Sequence, residues 1–103
     1  MEYDQELVAV DCLNALFWNY TRTDINNLQS RSSDFSYVWD TYLADKSGVD
    51  AFNELWRCWM VKFSLDTKTI LLDYALATYG REKREALQSA RTLSRFLRDQ
   101  DGA

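Results

Sequence analysis

Apolar side chains recur along this chain at steps of three and four, the period of one helix face. Leu7, Val10, Leu13, Phe17 and Tyr20 follow that rule, so a first helix is expected from near Asp4, with Glu6 in its first turn, to about Tyr20. The stretch TRTDINNLQSRSSD, residues 21–34, is rich in Thr, Ser, Asn and Asp, which compete with the helix backbone and favour caps. One or two turns around Ile25 and Leu28 are expected there. A second helix should start after Ser32 or Ser33, carry Phe35, Val38, Trp39, Tyr42 and Leu43, and stop near Lys46 before Gly48.

The segment 50–79 is the most apolar part of the chain and contains FNELWRCWMVKF, residues 52–63. Phe52, Leu55, Trp56, Trp59 and Phe63 fall on one arc about 100° wide at 100° per residue. Cys58, Val61, Leu65, Leu72, Leu76 and Tyr79 lie roughly opposite, so a helix here would be apolar on two sides, which is the mark of a buried helix. Ser64 or Asp66 can cap a new helix that ends at Gly80; the alternative is one unbroken helix over 50–79. Such a rod would be about 45 Å long, whereas a compact chain of this size has a radius of gyration of about 13 Å. Length therefore favours a break near 64–66. The plainer use of this segment is as the central element of the core; the sharper one exposes one arc, with Trp56 and Trp59, as an interface.

A last helix is expected over 81–99, with Ala86, Ala90, Leu93, Phe96 and Leu97 on one side and residues 99–103 as a frayed tail. Proline is absent and glycine occurs only at 48, 80 and 102, a composition that suits helices and gives a β-protein too few turn-formers. Gly48 and Gly80 fit positions that close helices. The fold class that follows is all-α: a small bundle of four or five helices in a single domain over 1–103, with 50–79 as its central apolar element.

Charge alters the picture only at the end of the chain. The net charge of −4 divides into −6 over residues 1–80, +4 over 81–98 and −2 from Asp99 and Asp101. Arg81, Arg84, Arg91, Arg95 and Arg98 share an arc about 100° wide on the last helix, opposite Leu93 and Leu97. Its bland reading is a solvated face, with Arg81 paired to Glu85 and the later arginines favoured by the helix C-terminus. A second reading is a docking stripe for an acidic protein surface. Nucleic-acid binding is the weakest of the three, because a stripe on one helix sits in a chain of pI about 4.7.

Candidate chemistry is sparse. The chain has no His, which removes the commonest general base and metal ligand together. Cys12 and Cys58 lie in apolar helical patterns far apart in sequence, so buried thiols are expected rather than a zinc site or a disulfide. Arg57 beside Cys58 can activate a thiolate, but no partner base is at hand. Asp66 and Asp73 can share a helix face, close to Lys62 and Lys68, as solvated faces do by default. No phosphate loop, dinucleotide fingerprint or EF-hand spacing occurs.

No catalytic residues, cofactor or metal are therefore expected, and the chain is expected not to be an enzyme. No stretch is apolar enough to span a membrane, and the acidic start MEYDQE is unlike a signal peptide, so a cytoplasmic location is expected. What remains is binding. The first reading is a regulatory or adaptor protein that binds another protein, as a homodimer with an aromatic interface; its candidate contacts are Arg84, Arg91, Arg95, Arg98, Trp56 and Trp59. The alternative is a small inhibitor of a host protein or nucleoprotein defence complex, of the kind phages make (anti-CRISPR-like).

Overall fold

The computed structural model describes residues 5–82. Arg84, Arg91, Arg95 and Arg98, and the expected tail at 99–103, lie outside the described residues. Within them the chain is all-α. Helix α1 spans Gln5–Asn19, α2 Arg22–Arg31, and α3 Ser33–Val38 with a π-helical continuation over Trp39–Leu43. Helix α4 spans Gly48–Val61, and α5 covers 65–82.

Residues 22–31 form a full ten-residue helix where one or two turns were expected. The polar residues that argued against a helix are the ones that end it. Thr21 Oγ1 accepts the Asp24 N–H at 3.2 Å while Asp24 Oδ2 accepts the Thr21 N–H at 2.8 Å, a reciprocal capping box. At the other end Ser32 closes α2 through its N–H to the Leu28 carbonyl, 3.0 Å, and opens α3 by accepting the Phe35 N–H on Oγ at 3.1 Å. Ile25 and Leu28 are buried, as the spacing predicts.

The break in the apolar segment falls at 62–64, beside the expected position. The Lys62 and Phe63 N–H groups both reach back to the Cys58 carbonyl, at 2.8 and 2.9 Å, which ends α4. Phe63 turns inward and stacks near Phe35, centroids 5.8 Å apart. Ser64 then caps α5, its Oγ accepting the Thr67 N–H at 3.3 Å. Asp34 on α3 accepts the Ser64 N–H at 3.3 Å and the Thr67 hydroxyl at 2.9 Å. Thr67 Oγ1 also receives Ser64 Oγ at 3.1 Å and lies 3.1 Å from Ser32 Oγ. Since a hydroxyl has one proton, and that of Thr67 goes to Asp34, Ser32 donates to Thr67. Thr67 is buried with every lone pair and proton used, and two helix N-termini, α3 and α5, are tied at one point.

The core gathers Cys12, Leu13, Leu16 and Phe17 from α1, Ile25 and Leu28 from α2, Phe35, Val38, Trp39 and Leu43 from α3 and its continuation, and Leu55 and Cys58 from α4. Phe63 and the α5 residues Leu71, Tyr74 and Ala75 complete it. Residues 50–79 are thus a central contributor, as expected. Three expectations need correction. Of the expected α1 stripe Leu13 and Phe17 are buried and Tyr20 is half-buried, but Leu7 and Val10 are exposed, and the buried side is completed by Cys12 and Leu16 instead. The second arc of 50–79 is not continuous, because the break dissolves its phase: Cys58 is fully buried while Val61 and Leu65 are 76% and 79% exposed. Finally, neither glycine closes a helix. Gly48 takes φ +59° where the chain swings into α4, and Gly80 lies inside α5, which runs through it to residue 82.

Those two glycines should answer substitution in opposite ways. A Cβ at Gly80 meets only ordinary contacts with Leu76 at 3.8 Å, so Gly80→Ala should raise stability by about 0.5–1 kcal/mol through helix propensity. Gly48→Ala meets no atom but must hold a left-handed backbone, and should lower stability by about 1–2 kcal/mol. Thr67→Val removes a buried hydroxyl from Asp34, Ser32 and Ser64 together and should cost about 2–3 kcal/mol. Urea midpoints at an unchanged slope measure all three.

Candidate functional site

Trp56 and Trp59, the two rings singled out by the sequence, are both half-buried on α4. Trp56 meets Phe17 edge-on at 5.0 Å and Phe52 at 6.4 Å. Trp59 meets the same Phe17 at 6.5 Å and carries Lys68 Nζ 5.7 Å above its ring. These rings cement α1 to α4, with only one flank left open to a partner. The remaining sequence candidates, Arg84, Arg91, Arg95 and Arg98, are not among the described residues, so no relation between them and the tryptophans is drawn.

The side chains that do face outward sit beside these rings. On α1, Leu7, Val10, Asn14 and Trp18 share an arc about 80° wide; on α4, Val49, Phe52, Trp56 and Met60 share another of the same width. The two sets have the same spacing, three, four and four residues. They meet where the Trp18 ring stands edge-on to Phe52, centroids 5.1 Å apart and planes at 83°. Of the nine large hydrophobic side chains exposed among the described residues, five belong to these arcs: Leu7, Val10, Trp18, Val49 and Met60. Trp18 is 57% exposed and Met60 75%.

Sequence reasoning missed Trp18, Val49 and Met60. A signal for Trp18 existed: α1 carries apolar residues on both flanks over 7–18, just as 50–79 does, yet only one stripe was drawn through it. For Val49 and Met60 no pattern distinguishes an outward position from an inward one until the neighbour of α4 is known.

Cys58 is not set up for chemistry. Burial pushes its thiol up, and Glu54, whose Oε1 lies 3.9 Å from the sulfur, adds to this. Arg57, the expected activator, instead bridges Glu54 at 3.0 Å. Cys12 and Cys58 are both fully buried and form no disulfide. Among the described residues no three His, Cys, Asp or Glu side chains gather as metal ligands. A small, partly open apolar depression lined by Leu16, Phe17, Ile25, Leu28, Phe35 and Leu71, among others, has space for about one water.

One buried polar cluster remains. Tyr74 donates to Asp24 Oδ1 at 2.5 Å and receives Asn27 Nδ2 at 3.4 Å, with the Arg31 guanidinium 5.2 Å over its ring. Asp24 is at the same time the capping carboxylate of α2. The cluster joins α2 to α5, with the Asp24–Tyr74 bond buried and Asn27 and Arg31 at its exposed rim, and it acts as a structural tie.

Fold and surface together define a small all-α protein with an aromatic, uncharged outer face across two neighbouring helices. Among the described residues no helix is long and apolar enough to cross a membrane. No family model matches the chain, and no curated protein or solved structure matches it either. Function must be read from the geometry.

The tyrosines give a pH test of the tie. Burial raises Tyr20, Tyr74 and Tyr79 above their ordinary value of 10.0, and Asp24 adds to the rise at Tyr74 and Tyr79. Folding thus favours the neutral rings. Their contribution is intact below pH 10.0 and is lost as pH climbs from there through the raised folded values. Thermal melts should show stability starting to decline above about pH 9, where the buried Cys58 thiol begins to count, and falling steeply above about pH 10. Tyr74→Phe should lower stability by about 1–2 kcal/mol at neutral pH and make that fall shallower.

Proposed function

We propose that this chain is non-enzymatic and acts by binding other proteins as a regulatory or adaptor module, assembled as a homodimer in the cytoplasm. The observation that carries the reading is the amount of large apolar side chain left on the outer face of α1 and α4. Monomeric proteins rarely expose a contiguous apolar patch above a few hundred Å², and larger ones mark interaction sites. Leu7, Val10, Val49 and Met60, exposed together with Trp18 on two adjoining helix arcs, supply apolar surface of this kind. Trp is also the residue type most enriched among those that dominate binding energy.

The cytoplasmic part is supported by the two buried thiols, Cys12 and Cys58, which lie outside a disulfide as is usual in a reducing compartment. The non-enzymatic reading is supported by the lack of His in the sequence and by the burial of Cys58, which raises its thiol and disfavours the thiolate. The phage-type inhibitor reading would use the same face against a foreign protein in place of a second copy.

Light scattering of the full chain separates these two. A mass near twice the 12.1 kDa chain is expected at high micromolar concentration. A strictly monomeric species there removes the dimer and leaves the face to a foreign partner.

A further inference from the structure

We infer that the occupant of the outer face of α1 and α4 is a second copy of this chain, the two faces packing about a two-fold axis into a four-helix layer. The inference rests on the dimer reading above and adds the surface. Four lines of observation lead to it.

Spacing comes first. Leu7, Val10, Asn14 and Trp18 on one helix, and Val49, Phe52, Trp56 and Met60 on its neighbour, run at three- and four-residue steps. That is the stripe with which helices pack along their length on other helices. A pair of adjoining helices with two such stripes is half of a four-helix bundle. Two identical halves satisfy each other, because an isologous interface needs only one self-complementary surface.

Area comes second. The five exposed residues present on the order of 600 Å² of surface, against roughly 800 Å² per partner in a stable interface. The flanks of Phe52 and Trp56 lie within the same arcs and make up part of the difference. Charge is the third line. The full chain carries a net −4, so two copies repel on average. The eight stripe positions contain no charged residue, and exposed Asp11 and Arg57, of opposite sign, flank them. The copies therefore can meet here without facing acid with acid.

Rigidity is the fourth. Trp18 is held edge-on against Phe52 at 5.1 Å, and Phe52 in turn against Trp56 at 6.4 Å, so the central rings lose little freedom on burial. Another exposed apolar site among the described residues, Val61 and Leu65 at the α4–α5 corner, lacks these features. It is interrupted by Lys62, Ser64 and Asp66, and no aromatic contact braces it.

The test is sedimentation of the full chain over a concentration series, with helix content followed by circular dichroism. Wild type should show the doubled mass. Trp18→Glu and Met60→Glu, both at exposed positions, should weaken the dimer about a hundredfold or more with helicity unchanged. Leu65→Glu, at the corner, should leave the dimer constant within about twofold. Trp18→Phe, which keeps a ring against Phe52, should retain most of the association, so that loss in the Glu variant is assigned to the face. A wild-type dimer that Leu65→Glu dissolves, and the two face variants do not, overturns the surface but leaves the dimer standing. A wild-type monomer overturns the second copy as occupant and the dimer reading with it.

Discussion

The hydroxyl of Thr67 holds this fold in shape. It donates to Asp34 and accepts from Ser64 and Ser32, so the starts of α3 and α5 share one buried polar point. Each of these helices needs its first N–H groups satisfied, and here one knot serves both. Without it the break after Val61 would lose the contacts that tie the start of α5 to α3. With it the chain breaks, Phe63 drops against Phe35, and α5 can bring Leu71, Tyr74 and Ala75 back to the core.

Breaking the run has a consequence for the surface. Among the described residues the core has limited interior, and thirteen aromatic residues compete for it with many aliphatic ones. Helix α4 gives up Ala51, Leu55 and Cys58 to full burial, and its tryptophans are half covered by α1. What is left over, Val49 and Met60 on α4 with Leu7, Val10 and Trp18 on α1, stays in water. Excess apolar surface on a helix pair is the physical content of the binding proposal.

The buried tie between Asp24 and Tyr74 plays the same part between α2 and α5 that Thr67 plays at the break. Asp24 caps α2 with one oxygen and receives the Tyr74 hydroxyl with the other. Both ties join residues more than thirty positions apart in the chain through groups that also finish a local cap. Polar residues in this protein thus set where helices end and which ends meet, while the apolar ones supply the bulk of the burial.

Much of this was legible in the residue pattern. The all-α class, the second helix through Leu43, the burial of Ile25, Leu28 and Cys58, and the break near Ser64 all follow from period, caps and length, which are local properties. Three things were not legible. The Thr21–Asp24 box makes a helix of a polar stretch only because Ser32 and Tyr74 fix its far end and its flank. Gly80 stays helical because its surroundings leave the backbone in the ordinary helical region. The outward role of Trp18 and Met60, against the half-buried role of Trp56 and Trp59, depends on which neighbour each helix meets. Periodicity tells that a helix is apolar on two sides; it does not tell which side finds a partner inside the same chain. That choice belongs to packing, because a face is buried only when another element arrives to cover it.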